Sequence, residues 1–175
     1  LTEHLMWQLC MNDFSEVERE VGVFIIGNLD GNGFLSMEIE DICAATGVTQ
    51  AVAQGVLERI QGFDPPGIAA RDLKECLRIQ ARYLELEDSL VWRMIDTHLE
   101  DLQTKNYDKI AQELDASVQE VAIAAEIITN MEPRPARDYS DEPPQFIVPD
   151  IYVVKVEGEY LVVLNEEDIP VLNLN

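Results

Sequence analysis

Apolar residues recur with a helical period along the first 130 or so positions of the chain. Leu5, Met6, Leu9 and Cys10 share one helical face over residues 3–12. Ser15 and Glu18 have capping-box spacing, ahead of a second stripe formed by Val17, Val21, Phe24, Ile25 and Ile26. That helix is expected to stop at Asp30-Gly31-Asn32-Gly33. Ser36 and Thr49 read as N-caps of two shorter helices separated by Gly47, the second ending at Gln61-Gly62. Past the breaker cluster Asp64-Pro65-Pro66-Gly67, a longer helix runs through Leu73, Cys76, Leu77 and Ile79 to about Leu84. Ser89 opens another through Val91, Met94, Ile95, Leu99 and Leu102. Two more cover 106–114 and 117–130, the last capped by Ser117.

After Asn130 the pattern changes. Residues 131–149 hold five prolines and few periodic apolar positions, as in a linker or extended arm. Two β-branched runs follow, 151–156 and 160–164, around Glu157-Gly158, and predict a hairpin. The expected fold is mainly α: two small helical-bundle subdomains, 1–68 and 69–132, then an arm and a C-terminal β-hairpin over 133–175. A shift of 68 residues places Ile42 on Ile110, Thr49 on Ser117, Ile60 on Ile128, Phe63 on Met131 and Pro65 on Pro133. Each copy reads as short helix, tight turn, capped helix and proline stop, a pattern that duplication or two unrelated helix-turn-helix units would both give.

Charge narrows the function. Thirty-four acidic residues against twelve basic ones give a formal charge of −22, which repels phosphates and attracts basic surfaces. Direct nucleic-acid binding by this chain is therefore not expected. The cysteines Cys10, Cys43 and Cys76 form no CxxC or Cys/His cluster, so neither zinc nor a disulfide framework is implied, and a reducing, cytoplasmic setting is expected. No apolar run approaches the roughly 18 residues of a membrane span. Opening on Leu1 and ending in an apparent strand, the chain is expected to be a fragment of something longer.

The segment Asn28 to Ile39 imitates an EF-hand loop, with oxygen-bearing residues at positions one, three and five, and Gly33 at six. Calcium needs a bidentate glutamate at position twelve, and Ile39 stands there, so a glycine-rich turn is the favoured reading and a calcium sensor the alternative. The helix-turn-helix units lack the basic recognition helix that reads DNA: 117–130 has no basic residue, and 49–61 only Arg59. His4 and His98 have no nucleophile at a recognised spacing, and no phosphate loop occurs, so no catalytic residue, metal or cofactor is expected.

The most informative cluster runs from Ile60 to Leu77. Pro65 and Pro66 stiffen it, Gly67 permits a backbone geometry closed to other residues, and Arg71 and Asp72 suit pairing across the turn or a helix cap. It reads as a rigid elbow between helical units, with Phe63, Asp64, Pro65, Pro66, Gly67, Arg71 and Asp72 as candidate docking residues.

At this elbow, Phe63-Asp-Pro-Pro-Gly-Ile-Ala-Ala-Arg-Asp-Leu-Lys-Glu-Cys-Leu77, the sequence resembles the core-binding region of sigma-54 transcription factors. Leu5-Met-Trp-Gln-Leu9, Ile26 to Leu35, Asn106-Tyr107 with Ile110-Ala111, Pro133-Arg134-Pro135, Val148-Pro149-Asp150 and Leu164-Asn165 continue the likeness in order. Members often carry glycine and phenylalanine after Pro-Arg-Pro, where this chain has Ala136 and then Asp138-Tyr139. The resemblance implies a non-catalytic module that docks on core RNA polymerase. It also implies that promoter DNA and an ATP-driven activator are engaged through regions outside this chain, the former beyond Asn175 and the latter before Leu1.

Overall fold

In the computed structural model, which describes residues 1–139, 151–156 and 159–164, the helical stripes become nine α-helices. The first four are α1 (Thr2–Met11), α2 (Glu16–Gly27), α3 (Ile39–Thr46) and α4 (Gln50–Ile60). α2 starts at its capping box. The Ser15 hydroxyl accepts from the Glu18 backbone N–H at 3.3 Å, and the Glu18 carboxylate accepts from the Ser15 N–H at 2.8 Å. These bonds, with Arg59 nearby, hold the Glu18 carboxyl below its ordinary range.

α3 corrects the sequence reading, because Glu38 rather than Ser36 precedes it, without a side-chain cap bond. The reason is tertiary. The Leu35 N–H donates to the Ala70 carbonyl at 2.9 Å, and Leu29 bridges Leu35, so the chain is held out of the helix at Leu35 and enters it only after Glu38. Thr49 does precede α4, but its hydroxyl makes no cap bond.

The remaining helices are α5 (Leu73–Tyr83), α6 (Leu90–Thr97), α7 (Leu99–Gln103), α8 (Tyr107–Leu114) and α9 (Val118–Thr129). The single helix expected over 89–102 is broken at His98, whose φ of −129° and ψ of 23° leave the helical region. His98 is buried: its Nδ1 lies 3.0 Å from Asp101 and its Nε2 3.7 Å from Glu113. Burial of a polar ring demands such partners, and the kink supplies them. Cys76, buried in α5, has its thiol pushed up to about 11 by desolvation, as befits an inert core sulfur.

Two apolar clusters organise residues 1–139. One gathers α1 to α4 around Leu5, Leu9, Ile25, Ile42, Leu57 and Ile60 and continues into Phe63, Ile68 and Ala69. The other gathers α5, α6, α8 and α9 around Leu77, Met94, Ile95, Ile110, Val121 and Met131. Both contain a helix pair related by the 68-residue shift. α3 and α8 occupy positions 39–46 and 107–114, and each stops at a left-handed residue, Gly47 (φ 72°) or Asp115 (φ 50°). α4 and α9 then begin at residues 50 and 118. The equivalent side chains Ile42 and Ile110, and Ala53 and Val121, are fully buried.

A short 3-10 turn covers Arg137–Tyr139. The hairpin is a second compact unit: β1 (Ile151–Val156) pairs antiparallel with β2 (Glu159–Leu164), in the register Ile151↔Leu164 to Val156↔Glu159. Glu157-Gly158, the arm beyond Tyr139, Val148-Pro149-Asp150 and Asn165 lie outside the described residues. No helix among the described residues is long and apolar enough to cross a membrane.

Candidate functional site

The elbow is built from the core outward. Phe63, just past α4, is 7% exposed and sets its ring edge-on to Phe14, centroids 6.3 Å apart and planes at 89°. The Arg59 guanidinium lies 3.5 Å from the Phe14 ring centroid. Ile68, Ala69 and Ala70 are fully buried; the Ile68 N–H donates to the Pro65 carbonyl at 3.2 Å, and the other two pair with the glycine-rich loop. The Ala69 N–H donates to the Gly33 carbonyl at 2.9 Å, and the Ala70 carbonyl accepts from Leu35. Gly67 sits at a φ of 94°, where a Cβ would stand 2.7 Å from Cys76 Sγ and 2.9 Å from Gln80 Nε2. Pro65, joined to Asp64 by a cis peptide, and Pro66 are half-buried.

Three of the candidate residues are exposed: Asp64, Arg71 and Asp72. Asp72 caps α5, accepting from the Glu75 N–H at 2.7 Å. Arg71 pairs with Glu75 rather than with Asp72, donating to both carboxylate oxygens at 2.7 and 3.0 Å, while its own N–H donates to Oε2 at 2.7 Å. Partial burial pushes the Glu75 carboxyl up, but these bonds outweigh it and hold the group below its ordinary range. The Glu75 hydrogen bonds in turn raise Arg71. Arg71→Glu is expected to lower stability by roughly 1–2 kcal/mol, modest because the pair is partly exposed. Urea unfolding checks this, and a variant as stable as its parent would make Arg71 an uncommitted surface charge.

Two side chains that the sequence does not single out do the same structural task in the two clusters. Gln8 of α1 clamps the backbone of Asp64, accepting from its N–H at 3.0 Å and donating to its carbonyl at 2.7 Å. Gln80 of α5 clamps Glu132 likewise, at 3.0 and 2.7 Å. Asp64 and Glu132 are 68 residues apart, each follows its helix-turn-helix pair, and each precedes a proline. A side-chain amide here replaces the peptide partner that a proline-interrupted turn lacks. Gln8 and Gln80 are 72 residues apart, so the 68-residue shift does not align them. The signal that finds them is the shared Leu-x-x-Gln of Leu5–Gln8 and Leu77–Gln80.

The chain after α9 returns to the first cluster. The Ala136 N–H donates to the Asn32 carbonyl at 3.1 Å, and Tyr139 stacks on His4 at 5.3 Å while its hydroxyl donates to Asp64 at 3.3 Å. A groove of about 540 Å³ lies where the family-like segments converge, lined among others by Phe34 and Leu35, by Arg71 and Leu73, and by Pro133 and Arg134. In the EF-hand-like loop, Asp30 Oδ1 accepts from the N–H groups of Asn32 and Phe34 at 2.9 and 2.8 Å, so the carboxylate serves its own turn. Millimolar calcium is accordingly expected to leave the melting temperature unchanged; an upward shift would restore the calcium reading.

The family model for the sigma-54 factor core binding domain matches residues 1–175. The chain belongs to the sigma-54 factor family. RNA polymerase sigma-54 factor of Pseudomonas putida is 32% identical over 184 aligned residues, covering 100% of the chain and 37% of that protein. The Escherichia coli factor is 31% identical over 183, covering 100% and 38%. The chain thus spans under two fifths of these curated relatives. A crystal structure of Aquifex aeolicus sigmaN bound to promoter DNA aligns at 17% identity and a TM-score of 0.47, over 99% of this chain and 48% of that one. These comparisons give the EF-hand alternative no support. In sigma-54 terms, the elbow, the glycine-rich loop and the Pro-Arg-Pro segment are one packed assembly rather than separate motifs.

Proposed function

We propose that this chain docks a sigma-54 factor on core RNA polymerase, as a cytoplasmic adaptor that carries out no chemistry itself. The observation that carries the reading is the match to the core binding domain along the whole chain. The charge of −22 supports it, since an acidic module suits a basic protein surface. Promoter DNA and an ATP-driven activator are engaged through other regions of the full factor. The elbow acts as scaffold, dividing subdomains at about residue 68 and presenting flanking helices to the polymerase, while 133–175 leads toward a DNA-binding region.

A pull-down of purified core polymerase with the 175-residue chain tests the reading. Retention is expected, and its absence at low salt would refute docking. In a gel-shift at physiological salt the chain alone should leave duplex DNA unretarded, because its charge opposes counterion release. A shift abolished by added salt would instead reveal a basic face.

A further inference from the structure

The two glutamine clamps align α1 with α5 at an offset of 72 residues, which pairs Leu5 with Leu77 and Leu9 with Ala81, all buried. The same offset pairs Trp7 with Ile79 and Met11 with Tyr83. In the second copy Ile79 is half-buried and Tyr83 is 73% exposed, and both line, together with Phe63 and Pro66 of the first copy's elbow, a groove of about 230 Å³. In the first copy the face is open as well. Trp7 is 61% exposed and Met11 70%, with Cys10 exposed beside them.

Within Leu5–Leu9 the fold accounts for every residue but one. Leu5 and Leu9 fill the core, Met6 packs against it, and Gln8 clamps Asp64. Trp7 has no such task, and a tryptophan left in water beside a methionine is the residue type that dominates binding interfaces. Its surroundings are acidic. Glu3 lies one turn away on the same face, and residues 1–60 hold ten acidic side chains against Arg19 and Arg59, of which Arg59 already pairs with Glu18.

Resting on the docking reading above, we propose that the α1 face formed by Trp7, Cys10 and Met11 is the anchor of this chain on core polymerase. The matching polymerase surface is an apolar pocket with a basic rim. Burial of the indole supplies affinity, and the carboxylates around it supply orientation and salt-sensitive association. A second copy of the chain is a poor occupant, since it would bring another −22 against the same surface.

The test measures binding of purified core polymerase to the parent chain and to Trp7→Ala, Trp7→Phe and Ile123→Ala, the last being 61% exposed on α9. Trp7→Ala is expected to weaken binding about tenfold or more, Trp7→Phe to retain most of it and Ile123→Ala all of it, with all four chains melting alike. The parent's affinity should fall as salt rises. Parent-like binding by Trp7→Ala would overturn the inference while leaving docking intact, and so would an equal loss in Ile123→Ala. A parent chain with no affinity for polymerase would sink the docking reading itself and this inference with it. Self-association of the parent in sedimentation, lost in Trp7→Ala while polymerase binding is unchanged, would make the occupant a second copy and refute the proposal.

Discussion

Phe63→Ala is expected to cost the fold about 3–5 kcal/mol. The ring is nearly buried, meets Phe14 edge-on, and lies where the first cluster passes into the elbow. Truncation removes its transfer free energy and leaves a cavity that the neighbouring backbone is poorly placed to fill. Ala69 and Ala70 are tied to Gly33 and Leu35 by hydrogen bonds, so collapse would break them. Phe63→Leu, nearer in volume, should cost about 1.5 kcal/mol or less. Urea unfolding followed by circular dichroism reads both, provided the slope with denaturant is unchanged. A Phe63→Ala chain as stable as its parent, yet unable to hold polymerase, would move Phe63 from core to interface.

What the sequence reveals and what it hides follow one physical rule. The helices with apolar stripes and local caps were legible, because the Ser15–Glu18 and Ser117–Glu120 boxes are complete within four residues. The places that went astray depend on distant partners. Ser36 has the chemistry of a cap, but pairing between Leu35 and Ala70 keeps it out of the helix. At the break, His98 meets the nearby Asp101 and also Glu113, brought up from α8. Gln8 and Gln80 look like ordinary polar helix residues until the chain 56 or 52 positions away is brought against them. The elbow is recognisable as rigid from its prolines and glycine, whereas Arg71 pairs with Glu75 because the Asp72 carboxylate is taken up as the N-cap of α5.

The glycine-rich loop gives the second large effect. Gly33→Ala is expected to destabilise the chain by about 2–5 kcal/mol, from backbone strain and overpacking together. Its φ of +92° is a conformation that side chains with a Cβ seldom adopt, and the added atom would lie 2.7 Å from Ile68 Cδ1. Relief on one side drives the atom into the other, since Ala136 Cβ and N stand at 3.2 and 3.3 Å. Ile68 is fully buried and Ala136 nearly so, and Ala136 is tied to Asn32 by its N–H, so neither neighbour yields freely. Gly31→Ala in the same loop is the control: its Cβ would meet nothing within 4 Å, and the change should stay within about 0.5 kcal/mol. An EF-hand account of this loop predicts a loss of calcium response on Gly33→Ala, because the glycine would serve the metal turn. The packing account predicts a loss of stability in calcium-free buffer, together with weakened protection of the Ala136 and Ala69 amides in hydrogen exchange. Equal stability of the Gly31→Ala and Gly33→Ala chains in that buffer would show that the loop, the elbow and the returning segment are not packed as one assembly.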